Sequence, residues 1–178
     1  YRGNLLKVTI IGGSGFLGNS LCHELLKSNI EFEILDLVHP DNKFIDRYKF
    51  FDVTSSFDES IIDGDIIINL AAQHSDNVHP KSLYDEVNVG GAENICKIAC
   101  KKGINKIIFI SSVAVFGNSK KEINEDSEFN FFNDYGRTKL LAEKVFIEWY
   151  GADEENRNLT IIRPTVIFGE KNRGNVFN

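Results

Sequence analysis

The segment Ile10-Ile11-Gly12-Gly13-Ser14-Gly15-Phe16-Leu17-Gly18 decides the fold, because it joins an apolar, strand-like run to a helix-like run. Gly12, Gly15 and Gly18 have the spacing of a dinucleotide-binding turn. In such a turn one glycine makes the sharp bend, one lets the backbone approach a pyrophosphate, and one lets the helix pack closely on the strand. The phosphates would lie at the helix N-terminus, where unpaired N–H groups and the helix dipole favour negative charge.

A single carboxylate, Asp36, ends the second strand-like run, which covers residues 31–36. A carboxylate at this position can accept hydrogen bonds from ribose hydroxyls, but it would repel a 2'-phosphate. The residues directly after it, Leu37 and Val38, bring no positive charge that could neutralise such a phosphate. The pattern therefore predicts NAD, rather than NADP, as the cofactor.

Composition and charge narrow the class of protein. The chain has 178 residues, of which 42% are apolar and 26% charged, and this suits one globular domain. A net charge of -6 without a dense lysine or arginine cluster argues against a nucleic-acid partner. The apolar runs are too short to span a bilayer, and no signal-peptide pattern is present, so we expect no membrane partner and a cytoplasmic location. The three cysteines, Cys22, Cys96 and Cys100, lack the spacing of a zinc site; we expect reduced core thiols and no metal.

Strand-like runs alternate with helical patterns along the chain. Strands are predicted near residues 7–11, 31–36, 48–51, 65–69, 106–110 and 159–163. Helices are predicted near residues 16–27, 80–102 and 134–150. Strands of this apolar kind, buried on both faces, require helices above and below the sheet. The fold class is therefore α/β, with a doubly wound, Rossmann-type parallel sheet of order 3-2-1-4-5-6 and a ligand site at the carboxyl ends of the strands.

A tyrosine and a lysine at the start of the last predicted helix suggest acid–base chemistry. Tyr135 and Lys139 are four residues apart, which puts both on one helical face. A nearby cation stabilises phenolate and so lowers the pKa of a tyrosine, and Lys139 is the candidate, helped by the positive ring of an oxidised nicotinamide cofactor. Ser112 follows the strand near 106–110, where its hydroxyl could bind the substrate oxygen that Tyr135 deprotonates.

With these motifs the chain resembles the extended short-chain dehydrogenase/reductase family, in particular its NAD-dependent epimerase/dehydratase group, which acts on nucleotide sugars. The motifs that carry the resemblance span nearly the whole chain, at residues 12–18, 52–53, 69–72, 88–89, 111–117, 135–139 and 163–169. The resemblance implies three catalytic residues, Ser112, Tyr135 and Lys139. The residues that it places around the cofactor are Gly12, Gly15, Phe16, Leu17, Gly18, Asp36, Asp52, Val53, Leu70, Ala71, Ala72 and Lys139. Asn88 would hold a structural or relay position.

The resemblance also discriminates among reactions. The family's 4,6-dehydratases carry an Asp-Glu pair directly after the catalytic hydroxyl residue, and its decarboxylases place a glutamate where this chain has Ala114; Val113 and Ala114 disfavour both reactions. Asp36 disfavours the NADP-dependent sugar reductases. Epimerisation remains, at C4 of a nucleotide-linked hexose through a transient keto-sugar, with Tyr135 taking the hydroxyl proton while hydride passes to NAD and then returns to the opposite face. The alternatives are an NAD-dependent dehydrogenase of a sugar or steroid-like substrate, and a non-catalytic NAD-binding module.

The resemblance further implies how the protein is organised. Family members carry a smaller C-terminal substrate domain, and we expect most of it to be missing from this chain. The predicted division is an NAD-binding domain with the catalytic residues at 1–169 and the start of the substrate-binding region at 170–178. A homodimer paired through the two long helices is implied. Phe116 stands where many relatives have tyrosine, and His74 lies near a possible substrate, although a lone histidine is more often packed or solvated.

Overall fold

The computed structural model describes residues 6–55, 59–75, 78–118 and 122–169. Its strands are β1 (Lys7–Ile11), β2 (Glu31–Asp36), β3 (Tyr48–Phe50), β4 (Ile66–Asn69), β5 (Lys106–Ile110) and β6 (Asn158–Ile162). They form one parallel sheet of order β3-β2-β1-β4-β5-β6. The predicted doubly wound α/β fold is therefore confirmed. Residues 170–178, which the sequence assigns to a second region, lie outside the described residues.

The helices connect consecutive strands. They are α1 (Phe16–Lys27), α2 (Ser82–Tyr84), α3 (Gly91–Lys102) and α4 (Asp134–Gly151), and a π-helical segment, Asp85–Gly90, joins α2 to α3. Short 3₁₀ helices cover Asn42–Arg47, Glu59–Ile61 and Val113–Phe116. Asn133 is the N-cap of helix α4, and its side-chain oxygen accepts a hydrogen bond of 2.8 Å from the N–H of Gly136. This cap satisfies one of the free donors of the first turn.

Apolar clusters on both faces of the sheet hold the helices in place. On one face, Phe109 of β5 and Phe146 of α4 are fully buried and stack with their ring centroids 4.7 Å apart. On the other face, Ile10 and Phe32 pack with Cys22 of α1. Burial of such side chains contributes about 1.5–3 kcal/mol each to folding. The two clusters explain why the strand sequences are apolar almost throughout.

Two expectations about burial need correction. β6 is not buried on both faces, because it is the last strand in the sheet order, and its residues alternate between exposed and partly buried. Cys22 and Cys96 are buried free thiols, and burial raises the pKa of each to about 12. Cys100 is exposed rather than in the core, and its sulfur lies 3.4 Å from Nη2 of Arg157.

The strand order leaves a crevice beside β1, because β2 and β3 lie on one side of β1 and the later strands on the other. β1 pairs with β2 on one side and with β4 on the other. The loops that leave the carboxyl ends of β1 and β4 therefore diverge to opposite faces and open a space between them. Among the described residues, no helix is both long and apolar enough to cross a bilayer.

Candidate active site

The glycine turn after β1 is built against the end of β4. Gly12 has φ +79°, and a Cβ atom there would lie 2.5 Å from the backbone nitrogen of Ala71. At Gly18 a Cβ atom would lie 2.5 Å from the Cα atom of Gly13, so α1 packs directly on the turn. Gly15 differs, because the nearest atom to a Cβ there is the carbonyl oxygen of Gly12 at 3.8 Å. The open face of Gly15 leaves space for a ligand to approach the backbone.

The turn forms one wall of a cavity of about 410 Å³. The predicted cofactor residues that line it are Gly12, Gly15, Asp36, Asp52, Val53, Leu70, Ala71 and Ala72. The remaining predicted cofactor residues, Phe16, Leu17, Gly18 and Lys139, are not among its described lining, and their roles stay predictions. The first turn of α1 has no acidic residue, and its N-cap, Gly15, makes no side-chain cap. The cavity and the uncapped N-terminus of α1 are therefore compatible with the predicted dinucleotide site.

Asp36 connects the glycine turn to the end of β2. Its Oδ2 accepts a hydrogen bond of 2.9 Å from the N–H of Ser14, and its Oδ1 accepts one of 3.1 Å from the N–H of Val38. The hydroxyl of Ser14 donates in turn to the carbonyl of Val38 at 2.6 Å. A carboxylate has about four acceptor positions, so these two bonds leave capacity for ribose hydroxyls.

Several cavity residues were missed from the sequence. They are Ile11, Ser14, Leu35, Leu37, Val38, Phe51, His74 and Val87. Leu37 and Val38 carry a usable signal, because they are apolar, 55% and 65% exposed, and directly follow Asp36, for which a ribose-binding role is predicted; exposed apolar side chains there would suit a flat aromatic base. His74 lines the same cavity, although the sequence associated it with the substrate.

Ser112 and Tyr135 meet at the carboxyl end of β5. The Ser112 side chain lies near enough to Tyr135 to lower its pKa, and the Ser112 Oγ accepts a bond of 3.1 Å from the N–H of Ala114. Burial raises the pKa of Tyr135, and the Ser112 side chain opposes that effect. The sequence led us to expect that neighbouring residues lower the pKa of Tyr135. In the structure its pKa is raised instead.

Lys139 explains this difference. Its side chain is 2% exposed, its Nζ donates to the carbonyl of Ile110 at 2.5 Å, and it lies 4.2 Å from the ring centroid of Phe109. Burial lowers the pKa of Lys139 to about 7, against the opposing field of Glu143. Near neutral pH Lys139 is therefore only partly in its ammonium form. It does not carry the full positive charge that was expected from the sequence.

Asn88 links the two long helical segments behind this cluster. Its Oδ1 accepts a bond of 2.8 Å from the N–H of Gln73, and its Nδ2 donates to the Gln73 carbonyl at 3.1 Å. The same Nδ2 also lies 2.8 Å from the hydroxyl of Thr138, which precedes Lys139. The position of Asn88 in the π-helical segment is consistent with the structural role that the resemblance implies.

Replacement of Asn88 by alanine is expected to lower the free energy of unfolding by about 1–3 kcal/mol, because the half-buried N–H and carbonyl of Gln73 lose their bonds to the amide and the Thr138 hydroxyl loses one donor. Urea denaturation followed by circular dichroism measures the change. Asn105→Ala is the matched control, since Asn105 is exposed and the expected change is within about 0.5 kcal/mol. Equal stabilities for the two variants would contradict the assigned role of Asn88.

Comparisons with known proteins agree with this geometry. Residues 8–178 match the family model described as NAD dependent epimerase/dehydratase family. The chain is 42% identical, over 96% of its length and 52% of the relative's, to N-acetyl-alpha-D-glucosaminyl-diphospho-ditrans,octacis-undecaprenol 4-epimerase of Escherichia coli O157:H7. It is 28% identical to UDP-glucose 4-epimerase of Vibrio cholerae, with 91% of this chain and 52% of that protein covered.

A solved structure agrees as well. The UDP-Glc/GlcNAc 4-epimerase from Campylobacter jejuni superposes with a TM-score of 0.77 at 26% identity, over 89% of this chain and 53% of that chain. The chain thus spans about half the length of the curated relatives that it matches. Because the family model covers nearly all of the sequence, the chain belongs to the NAD-dependent epimerase/dehydratase family.

Proposed function

We propose that the protein is an NAD-dependent 4-epimerase of a hexose carried on a diphosphate. The observation that carries the proposal is the placement of Tyr135 beside Ser112 at the carboxyl end of β5, where the Ser112 side chain acts on the Tyr135 phenol. β5 lies beside β4, with Phe109 in register with Asn69. Residues 70–72, which follow β4, line the dinucleotide cavity. An acid–base pair and a redox cofactor at adjacent strand ends are what oxidation of a sugar hydroxyl requires.

The cofactor would be held by the residues that line the cavity. The turn at Gly12 and Gly15 would receive the pyrophosphate at the N-terminus of α1, and Asp36 would bind the adenosine ribose. Leu37 and Val38 would contact the adenine. When bound, NAD supplies the reversible oxidation of the sugar carbon.

Tyr135 would act as the general base and acid on the sugar hydroxyl. Ser112 lies beside it and would orient the substrate oxygen. Lys139 would supply the positive charge that favours phenolate, and it does so below pH about 7, where its ammonium form predominates. Residues 113 and 114 are valine and alanine, so this stretch has no carboxyl group to assist loss of water. That composition favours epimerisation over dehydration.

The substrate class rests on the relatives. The Escherichia coli relative is named for N-acetylglucosamine on undecaprenyl diphosphate, and the Vibrio cholerae relative for UDP-glucose. Both carriers present a diphosphate next to the sugar. A nucleotide sugar, as the sequence predicts, and a polyprenyl diphosphate sugar are therefore the two members of the proposed substrate class.

The test is incubation of the protein with UDP-glucose, UDP-N-acetylglucosamine and polyprenyl-diphospho-N-acetylglucosamine, with NMR detection of the C4 epimer. We expect the epimer to form from at least one substrate without net NADH accumulation. Stoichiometric NADH with an oxidised product would instead identify a dehydrogenase. NAD binding without conversion of any substrate would identify a non-catalytic module and overturn the proposal.

We further propose a cytoplasmic homodimer with the domain division predicted from the sequence, residues 1–169 binding NAD and residues 170–178 beginning a substrate-binding region. The long helical segments 82–102 and 134–151 form the proposed dimer contact, and Ile147 of α4, 49% exposed, supports an apolar contribution. Analytical ultracentrifugation is expected to give twice the chain mass, with Ile147→Lys shifting the protein to monomer. A monomeric wild-type protein at micromolar concentration would contradict the dimer.

A further inference from the structure

A buried carboxylate, Glu143, lies on the same face of α4 as the candidate catalytic residues. Tyr135, Lys139 and Glu143 follow one another at intervals of four residues, so their side chains lie along one stripe of the helix. Glu143 is 1% exposed. The proposed mechanism does not use this carboxylate. A buried charge without compensation would strongly destabilise the fold, so its partners need to be identified.

Glu143 pairs with Arg163, which follows β6. The guanidinium binds the carboxylate through two bonds, from Nε to Oε1 at 2.9 Å and from Nη2 to Oε2 at 2.8 Å. This bidentate geometry is the strongest form of the arginine–carboxylate pair. The pair raises the pKa of Arg163, which keeps the guanidinium charged. Glu143 and Arg163 therefore join α4 to the end of β6.

Two phenylalanine rings fix the guanidinium in this geometry. Phe116 and Phe129 stack with centroids 5.5 Å apart, and the Arg163 Cζ lies 5.2 Å from each centroid. The faces of both rings attract the guanidinium charge. Phe116, where the family resemblance leads one to expect tyrosine, thus has a defined role in holding Arg163. Backbone bonds attach the same region to the catalytic strand, since the N–H of Val113 donates to the Pro164 carbonyl at 3.1 Å.

Lys139 is the oppositely charged side chain one turn before Glu143 on the same face of α4, and both residues are buried. Lys139 has three donors, and the structure assigns one of them to the Ile110 carbonyl. Of the groups around it, Tyr135 and Glu143 come from α4, Ile110 and Phe109 from β5, and Arg163 acts through Glu143. The negative charge of Glu143 raises the pKa of Lys139 and so favours its ammonium form. The charges along this row alternate in sign from Lys139 to Glu143 to Arg163.

We propose that Glu143 is a positioning residue of the active site: its buried carboxylate, anchored to the end of β6 by Arg163, favours the ammonium form of Lys139 one turn earlier on α4. This inference rests on the proposed function, because it assigns the charge on Lys139 to the proton transfer at Tyr135. The chemistry needs that charge, and burial alone would remove it. Arg163 has an opposing influence, since its positive charge partly cancels the field of Glu143 at Lys139.

The test is an NMR titration of lysine labelled with ¹³C at Cε, in which the Lys139 signal is assigned by its loss in Lys139→Arg. Neither substrate nor turnover is needed, so the result is independent of the epimerase assay. In Glu143→Gln the titration midpoint of Lys139 is expected to fall by about one pH unit or more. In Arg163→Gln the midpoint is expected to rise, because the Glu143 carboxylate is no longer compensated. Arg163→Lys, which retains the charge, should leave the midpoint near its wild-type value.

Opposite shifts in the two glutamine variants separate this role from a merely structural one. If the pair only holds α4 against β6, then breaking it from either side admits water to Lys139 and raises the midpoint in both variants. Shifts in the same direction, or a midpoint in Glu143→Gln equal to that of the wild type, would overturn the proposal. If Glu143→Gln alone does not fold, the same change is made in the Arg163→Gln background, where no buried guanidinium is left unpaired. The midpoint should then fall relative to Arg163→Gln alone, and an equal or higher midpoint overturns the proposal.

Discussion

Replacing Tyr135 with phenylalanine is expected to lower turnover by about 10²–10⁴-fold, the range of a lost general acid–base group. The substitution removes one hydroxyl, on which the neighbouring Ser112 side chain acts. The ring remains, so the packing of α4 on the sheet should persist, with a stability loss of about 0.5–1.5 kcal/mol for the lost hydroxyl. Turnover is measured as epimer formation by NMR, and NAD affinity by isothermal titration calorimetry.

The matched control is Tyr150→Phe, because Tyr150 lies on the same helix and packs partly buried against the core. This control should retain wild-type turnover and NAD affinity. The expected result for Tyr135→Phe is lost turnover with NAD affinity unchanged within about twofold. Turnover near that of the wild type in Tyr135→Phe would refute its assignment as the base, and Ser112 would then need a different proton acceptor.

The second large effect is expected at Gly12. Alanine there would be strained by φ +79°, and its Cβ would lie 2.5 Å from the backbone of Ala71, which cannot move without displacing the end of β4. Left-handed strain costs about 1–2 kcal/mol and overpacking about 1–3 kcal/mol, so we expect Gly12→Ala to lower the free energy of unfolding by roughly 2–5 kcal/mol. Urea denaturation measures the loss. Any folded protein should have lost NAD binding, because the turn that faces the pyrophosphate has shifted.

Gly103→Ala separates the two contributions. Gly103 has φ +68°, but no described atom lies within 4 Å of a Cβ atom there. It follows α3 on the side of the sheet where β5 begins, away from the proposed cofactor cavity. This control should lose only about 1–2 kcal/mol and should bind NAD normally. Comparable losses in the two variants would mean that the contact between Gly12 and Ala71 contributes little.

The order of elements was predictable because it depends on patterns that are local in the chain. The predicted strand at 106–110 and the predicted helix at 16–27 agree with β5 and α1 to the residue. The long helix predicted near 80–102 begins at Ser82 and contains a π-helical segment, which apolar periodicity does not reveal. The burial of β6 was wrongly predicted, because an apolar strand has the same composition at an edge as in the middle of a sheet.

The candidate site was predictable in part. The glycine spacing and the position of Asp36 indicate a ribose and a pyrophosphate directly, since each residue's task depends on its neighbours in sequence. The pKa of Tyr135 was not predictable, because its direction follows from how deeply α4 is buried and where the ammonium of Lys139 is directed. Sequence spacing puts two side chains on one helical face, but it does not say which carbonyl or carboxylate each one meets.

By itself, the sequence determined the doubly wound fold, the turn at Gly12 and the residue types available for proton transfer, because backbone conformation and apolar periodicity are properties of short segments. The tertiary structure alone decided that Lys139 is bonded to Ile110 and that Glu143 pairs with Arg163. These contacts join α4 to β5 and to the end of β6, segments separated by 20 or more residues along the chain. Their electrostatic strength depends on burial, which exists only once the sheet and its helices have packed.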